Sequence, residues 1–339
     1  MMRTEIFGTF GPACASEEML RKMIDAGVTG MRLNLSHTTL PASENYIRNF
    51  QNAAMQVNVK PQILIDMQGP ELRVGKLERP MELQEGEQVF LSDTDTCKKK
   101  RAIPVPTEVV KAVKAGEEIL LDDGKILMQV EDEIFPGGNV VAARVRRAGI
   151  LQSHKSVKII GKNIKLPPLT EHDIENITVA KEYGVTALMQ PFVCGGADLK
   201  YVRKVLKEHS AEDVKIFAKI ENRLGVENIE DILPEADVII IARGDLGNDM
   251  PLWELPGVQK EIEAACKKAK KPYIVVTQML ASMERHPVPT RAEVSDIFHA
   301  VYHGAWGVML TGETAVGDYP VEAVQYLANT AKEAEKYIE

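Results

Sequence analysis

Short apolar runs alternate with amphipathic, helix-like stretches along most of the chain. The runs are rich in Val, Ile and Leu, as is typical of strands that are buried on both faces of a parallel sheet. The predicted strands are Thr4–Phe10, Val28–Leu35, Gln62–Asp66, Ala187–Gln190, Val214–Ile220, Val238–Ile241, Tyr273–Thr277 and Trp306–Leu310. The predicted helices are Ser16–Ala26, Ala42–Asn58, Glu171–Tyr183, Ala197–His209, Gly225–Leu233, Leu255–Lys270, Arg291–His303 and Val321–Tyr337. This rhythm predicts an α/β fold, a (β/α)8 TIM barrel with its active groups at the carboxyl ends of the strands.

One segment interrupts the rhythm. From about residue 71 to 165 the chain shows short alternating strands and turns, including an Asp-Asp-Gly turn at Asp122–Gly124, and no long helix is predicted there. We therefore predict two domains. Residues 1–70 and 166–339 form the barrel, and residues 71–165 form a small inserted β-rich, barrel-like lid domain.

Composition and charge limit the classes of function. The 339 residues carry a net charge of −8, which argues against a protein that binds nucleic acid through the phosphate backbone. No apolar stretch is long enough to span a membrane, and the N-terminus does not resemble a secretory signal. The four cysteines are scattered and are interpreted as reduced thiols in a cytoplasmic protein.

Two neighbouring strands end in clusters of charge. Lys219 and Glu221 are two residues apart, so they point the same way from the end of one strand, and Asp245 follows the next strand. A Lys–Glu pair alone is more often a solvated surface feature. Two carboxylates at the same end of adjacent strands instead suit a shared divalent cation, with waters or substrate oxygens completing its shell.

Other strand ends add polar side chains to the same predicted face. Arg32, Asn34 and Ser36 follow one another at period two, a pattern that favours an anion and cation site, and Asp66 and Thr277 end two further strands. The sequence contains neither a Walker A loop nor a G-x-G-x-x-G motif, so a doubly wound nucleotide-binding fold is disfavoured.

Several long motifs resemble the pyruvate kinase family. They are GTFGPA (8–13), MRLNLSH (31–37), IDMQGPELRVG (65–75), LDDG (121–124), AKIENRLGV (218–226), IARGDLG (241–247), TQMLASM (277–283), PTRAEVSD (289–296) and MLTGETAVGDYP (309–320). The resemblance runs from about residue 3 to the end of the chain. It implies a barrel with a mobile β lid, and phosphoryl transfer from phosphoenolpyruvate to ADP that gives pyruvate and ATP.

The resemblance also implies roles for individual residues. The divalent ion, Mg²⁺ or Mn²⁺, would be held by Glu221 and Asp245, and K⁺ by Asn34, Ser36, Asp66 and the Met67 carbonyl. Lys219 would lie against the transferring phosphoryl group and the developing enolate, and Arg32 and Arg73 would contact phosphate. The substrate carboxylate would bind to the backbone of Arg243, Gly244 and Asp245 and to the Thr277 hydroxyl. His37 and Lys155 would lie near the nucleotide.

The chain departs from the family pattern at a few positions. Met67-Gln68 stands where Thr-Lys is usual, and Pro191 and Cys194 stand where a Ser and an Arg are usual. The C-terminal regulatory domain of typical members has no counterpart, so activation by a sugar phosphate through it is not expected. The substitutions leave two alternatives open. One is a paralogue that uses the same site on another phosphoryl acceptor or a 2-oxoacid, and the other is a non-catalytic regulatory binding protein. Assembly into a homo-oligomer also remains open.

Overall fold

The computed structural model describes residues 4–36, 38–93, 101–122, 124–134, 140–162, 164 and 166–338, without the side chains of 132–134. The chain divides into two compact units. The first consists of Met1–Gly69 and Pro167–Glu339, and the second is Pro70–Leu166.

The elements follow one another in chain order. The first part of the first unit contains β1 (Glu5–Thr9), α1 (Glu17–Ala26), β2 (Gly30–Asn34), α2 (Glu44–Gln56) and β3 (Gln62–Asp66). The second unit contains β4 (Met81–Leu83), β5 (Gln88–Ser92), β6 (Ala102–Pro104), α3 (Thr107–Ala112), β7 (Glu118–Leu121), β8 (Ile126–Ile134), β9 (Val140–Arg147), β10 (Gly149–Leu151) and β11 (Val157–Ile159). The rest of the first unit contains α4 (Glu171–Val179), β12 (Ala187–Gln190), α5 (Gly196–Glu208), β13 (Lys215–Ile220), α6 (Arg223–Glu227), α7 (Ile229–Ile232), β14 (Val238–Ala242), α8 (Arg243–Gly247), α9 (Leu255–Ala269), β15 (Tyr273–Val276), α10 (Arg291–Tyr302), β16 (Gly307–Met309), α11 (Gly312–Ala315) and α12 (Pro320–Glu335). Short 3₁₀ turns lie at Pro12–Cys14, Pro41–Ser43 and Ala281–Glu284.

The predicted barrel is confirmed. Eight parallel strands close into one sheet in the order β1-β16-β15-β14-β13-β12-β3-β2. Its interior is filled by side chains from successive strands, among them Phe7, Phe217, Ile240 and Met309, all buried. Trp306, which precedes β16, packs against this interior with its ring centroid 5.9 Å from that of Phe7 and 6.1 Å from that of Phe217. A filled interior means that ligands can bind only at the rim of the barrel.

The helices begin where the sequence supplies a cap. The Ser16 hydroxyl accepts a hydrogen bond from the Met19 N–H at the start of α1, and Thr170 and Thr290 form capping boxes at the starts of α4 and α10. Their apolar faces pack on the outside of the sheet in a second, larger core. Within the described part of the chain, no helix has both the length and the apolar character of a membrane span.

Several predicted elements have different bounds in the structure, among them the helix predicted to reach Tyr183, which ends at Val179. The single helix predicted at Gly225–Leu233 is split into α6 and α7 at Asn228, which has φ −97° and ψ 17°. The Asn228 side chain donates to the Cys194 carbonyl, 2.7 Å away. The strand predicted to reach Thr277 ends at Val276, since Thr277 and Gln278 have φ values of +77° and +55°. Both angles lie in the left-handed region, which no strand residue adopts.

The second unit is rich in β-structure. Its strands form a six-stranded sheet in the order β11-β7-β8-β9-β5-β6 and a two-stranded sheet of β10 and β4. Alternate side chains such as Val89, Leu91, Ile119 and Met128 pack into a separate hydrophobic core. This unit therefore buries an apolar core of its own.

We predict that Gly11→Ala destabilises the barrel. A Cβ at Gly11 would lie 2.3 Å from the Ala315 carbonyl oxygen, and backbone cannot swing aside as a side chain can. The expected loss is about 1–3 kcal/mol in the free energy of unfolding, measured by urea titration followed by tryptophan fluorescence.

The matched control is Gly257→Ala in α9, where a Cβ would meet nothing within 4 Å. It should leave the protein as stable or stabilise it by up to about 1 kcal/mol, because alanine favours a helix over glycine. Equal urea midpoints for Gly11→Ala and the unsubstituted protein would show that the loop after β1 is not tightly packed against α11.

Candidate active site

The charged residues predicted at the strand ends meet at the carboxyl end of the barrel. Lys219 belongs to β13, and its Nζ lies 2.9 Å from Glu221 Oε1 and 3.1 Å from Asp66 Oδ1. Arg32 on β2 donates to the other oxygen of Asp66, with Nη2 at 2.5 Å and Nε at 2.8 Å. Two cations and two carboxylates therefore alternate in one line, Arg32–Asp66–Lys219–Glu221, which we call the charge array.

The charge array is almost entirely withdrawn from solvent. The exposed fractions of its side chains are 14% for Arg32, 4% for Asp66, 13% for Lys219 and none for Glu221. Buried charges are tolerated only when they are paired, and removing one partner leaves the other uncompensated. Each member of the array therefore depends on its neighbours.

The array sets the protonation states of its central members. Burial alone would raise the pKa of Asp66, but the Lys219 and Arg32 cations outweigh it and hold that pKa below its ordinary value. Burial alone would lower the pKa of Lys219, but the carboxylates of Asp66 and Glu221 raise it above its ordinary value. Lys219 is thus a fixed positive charge at neutral pH.

Glu221 differs from Asp66 because one of its two carboxylate oxygens accepts no hydrogen bond from a described residue. Its Oε2 accepts a hydrogen bond of 2.8 Å from the Phe192 N–H. Its buried Oε1 touches the Lys219 ammonium as an ion pair, but no described residue donates it a hydrogen bond of good geometry. Burial raises the pKa of Glu221 to about 7, with Lys219 opposing the rise and the nearby charge of Asp245 adding to it.

Glu221 and Asp245 fit a hard divalent cation. They follow adjacent parallel strands, β13 and β14, and Asp245 lies exposed in α8. The Glu221 Oε1 atom, which pairs with Lys219 but accepts no hydrogen bond from a described residue, has a lone pair left for a cation. Among the described residues there is no cluster of three or more His, Cys, Asp or Glu that could hold a metal. Two carboxylates with water and substrate oxygens are nevertheless the usual ligand set of Mg²⁺.

The start of α8 and the end of β15 form a second part of the site. A Cβ on Gly244 would lie 2.9 Å from Thr277 Cγ2, so only glycine allows Thr277 this close to the α8 backbone. The Arg243 side chain points elsewhere: it donates to Asp296 Oδ2 at 2.6 Å and to the Thr277 carbonyl at 2.7 Å. Arg243 therefore helps to hold Thr277 in its left-handed conformation, which costs free energy by itself.

The four predicted potassium ligands lie at the ends of β2 and β3. Asn34 is directly opposite Asp66 in the sheet register, and the Ser36 N–H donates to Asn34 Oδ1 at 3.1 Å. Met67 follows Asp66 and is buried. All four supply oxygen atoms, the donor type that replaces the hydration shell of K⁺. His37, which is predicted to lie near the nucleotide, is outside the described residues.

Arg73 and Lys155 belong to the second unit, in segments joined by the bridge between Arg73 and Ser156. Arg73 pairs with Glu71 at 2.5 Å and donates to the His154 carbonyl at 2.8 Å. Lys155 pairs with Asp122 at 3.0 Å. Both predicted ligand-binding cations thus have carboxylate partners within their own unit.

Two contributors were missed from the sequence. Phe192 acts through its backbone N–H with a φ of +53°, so its side-chain type gave no signal. Asp296 lies in the PTRAEVSD motif, 53 residues after Arg243, so no local sequence pattern indicates that the two side chains are in contact.

Pro191 and Cys194, which depart from the family pattern, lie in the same loop as Phe192. A Cβ on Gly69 would lie 2.3 Å from Pro191 Cγ, so Pro191 packs directly against the Gly69 backbone. Burial raises the pKa of the Cys194 thiol to about 11, so it is not a thiolate nucleophile at neutral pH.

A closed (β/α)8 barrel with charged and polar groups gathered at the strand ends places the protein among the barrel proteins that bind ligands at that rim. The family model for the pyruvate kinase barrel domain matches residues 1–324. The chain therefore belongs to the pyruvate kinase family, as its motifs predict.

Three relatives of the chain are named pyruvate kinase. The chain is 40% identical over 338 residues to a pyruvate kinase of Bacillus licheniformis and 38% identical over 339 residues to one of Geobacillus stearothermophilus, covering 99% of this chain in both cases. It is 39% identical over 337 residues to one of Staphylococcus aureus. The chain spans 58%, 58% and 57% of the length of these three proteins.

The raised pKa of Glu221 predicts that binding of Mn²⁺ to the substrate-free protein depends on pH. Below its pKa of about 7 the carboxyl group carries a proton, which the metal must displace. The apparent affinity should fall about tenfold per pH unit below that value and level off above it. Equilibrium dialysis of Mn²⁺ across this range measures the profile.

Two variants make this test specific. Glu221→Gln should bind Mn²⁺ weakly and without the pH dependence, whereas Glu227→Gln, an exposed site on α6, should keep the full profile. A profile that is flat in the unsubstituted protein, or unchanged in Glu221→Gln, would remove Glu221 from the metal site.

Proposed function

We propose that the chain catalyses phosphoryl transfer between phosphoenolpyruvate and ADP, giving pyruvate and ATP, with a divalent metal ion. The observation that carries this proposal is the buried Lys219, held as a cation between the carboxylates of Asp66 and Glu221. The similarity to proteins named pyruvate kinase supports it. The corresponding place of action is glycolysis in the cytoplasm.

Glu221 and Asp245 would hold Mg²⁺ or Mn²⁺. When bound, the ion supplies positive charge that polarises phosphoryl and enolate oxygens. The Glu221 carboxylate is buried, and the surrounding protein restricts its movement. It would therefore position the ion as a rigid ligand.

Lys219 and Arg32 would stabilise the charge that spreads over the transferring phosphoryl group and the enolate. Phosphoryl transfer needs little covalent chemistry from the protein, and catalysis comes mostly from positioned positive charge. The charge array fixes both cations before substrate arrives, so little reorganisation is needed. Arg73 would contact phosphate, and His37 and Lys155 would lie near the nucleotide.

The substrate carboxylate would bind at the start of α8. The backbone of Arg243, Gly244 and Asp245 offers N–H groups there, and the Thr277 hydroxyl lies beside Gly244. The enolate must still receive a proton on carbon. A Thr hydroxyl is a poor acid alone, so Thr277 would pass on a proton from a bound water.

Asn34, Ser36, Asp66 and the Met67 carbonyl would hold K⁺. Asp66 would then link the two parts of the site, because its carboxylate also pairs with Arg32 and Lys219. A positive ion near the β2 and β3 ends would add to the field that attracts an anionic substrate.

The test is ATP formation from phosphoenolpyruvate and ADP with Mg²⁺, with and without K⁺. Lys219→Met should lower turnover by about 10²–10³-fold, since it removes a preorganised charge from the transition state. Lys215→Met, an exposed position on the same strand, is the matched control and should keep full activity. Circular dichroism should verify that both variants fold, because Lys219→Met leaves two carboxylates without their cation.

The outcomes separate the alternatives. An inactive unsubstituted protein that still binds phosphoenolpyruvate in a metal-dependent way would replace the proposed reaction with transfer to another acceptor or enolisation of a 2-oxoacid. Binding with no turnover of any such substrate would indicate a regulatory protein. Full activity in Lys219→Met would remove Lys219 from the mechanism.

A further inference from the structure

The first turn of α4 contacts the loop that follows β2. His172 Nε2 lies 2.9 Å from the Leu35 carbonyl oxygen and 3.0 Å from the Thr38 carbonyl oxygen. Both partners can only accept hydrogen bonds, so Nε2 must carry the hydrogen and share it between them. One imidazole N–H therefore ties together the residues on either side of Ser36.

Asn176, one turn further along α4, strengthens this contact. Its Oδ1 accepts a hydrogen bond of 2.8 Å from the Leu40 N–H, and its Nδ2 donates to the His172 carbonyl at 2.8 Å. Asn176 is buried, so these bonds are shielded from competing water. The helix thus holds the loop after β2 at three carbonyl and amide positions.

The same turn of α4 holds the loop that follows β3. Asp173 is fully buried, and its two oxygens accept hydrogen bonds from the Gln68 N–H at 2.8 Å and the Gly69 N–H at 3.0 Å. Asp173 also closes the capping box with Thr170. Two adjacent residues, His172 and Asp173, therefore hold two different loops.

These two loops begin at the strand ends that carry the proposed potassium ligands. Asn34 and Ser36 lie at the β2 end, and Asp66 and Met67 lie at the β3 end. We propose that His172 is a positioning residue for the monovalent cation, because it fixes the β2 loop on the same short helix that fixes the β3 loop. This inference rests on the proposed function only in its assignment of those four ligands.

The energetic reason is preorganisation. A monovalent cation gains little from each oxygen, so its affinity depends on ligands that are already in place when it arrives. Without the His172 N–H, the β2 loop would have to be ordered by the ion itself. His172 does not touch the ion or the substrate, so its loss should weaken cation binding and leave the reaction at saturating cation largely intact.

The test uses two substitutions that differ in one donor. His172→Leu removes the N–H at similar volume, and His172→Gln places an amide N–H near the Nε2 position. His172→Leu should raise the half-saturating K⁺ concentration by about three- to tenfold, the factor that one hydrogen bond of ordinary net strength supplies. Turnover at saturating K⁺ should stay within about twofold in the same variant, because no group that contacts substrate is altered. His172→Gln should recover most of the affinity.

A second measurement does not depend on turnover. Thallium(I), a K⁺ analogue of similar size, is titrated against the protein and followed by thallium NMR. His172→Leu should weaken thallium binding by the same factor as K⁺ activation. His209→Leu is the matched control, because His209 contacts the other end of α4 through Thr178 Oγ1 at 3.3 Å and should leave thallium binding unchanged.

The results distinguish failure of the inference from failure of the proposed function. Equal thallium affinity in His172→Leu and the unsubstituted protein would overturn the inference, as would failure of His172→Gln to recover it. No thallium binding by the unsubstituted protein would overturn it as well. An inactive protein that binds thallium in a His172-dependent way would instead refute the proposed reaction and support the positioning role.

Discussion

The buried ion pairs of Lys219 are the constraint on which the rest of the site depends. A primary ammonium withdrawn from solvent is stable only with carboxylates beside it, and Asp66 and Glu221 meet that need from two different strands. Lys219 lies on β13 and Asp66 on β3, two strands that are not neighbours but flank β12. The charge array therefore depends on the strand order of the barrel.

Around this array, the loops at the strand ends are fixed by further buried carboxylates. Asp173 holds the loop after β3, and Glu313 accepts from the Leu280 N–H in the loop after β15 at 3.0 Å. Asp296, whose side chain is partly exposed, acts on the same loop through Arg243. Loops are usually the least ordered parts of a fold, so these acidic side chains give the rim of the barrel the rigidity that precise positioning requires.

Much of the fold followed from the sequence because the signals were local. Apolar runs and capping residues located the strands and helices of the barrel, and the period-two rule brought Lys219 and Glu221 to one side. The left-handed Thr277 could not be predicted, since its carbonyl is held by the Arg243 side chain, and no sequence pattern indicates the helix break at Asn228. The pairing of Asp66 with both Arg32 and Lys219 also required the three-dimensional register, because these residues come from three separate strands.

The hydrogen bond from the Phe192 N–H to Glu221 allows the sequence of the surrounding loop to diverge in evolution. The metal-ligand candidate is oriented by a main-chain N–H, which every residue except proline supplies whatever its side chain. Neighbouring positions such as Pro191 and Cys194 can therefore vary in chemistry while the carboxylate keeps its orientation, provided that the turn keeps its shape. Sequence divergence in this loop would then alter the surroundings of the reaction and leave its central ligand in place.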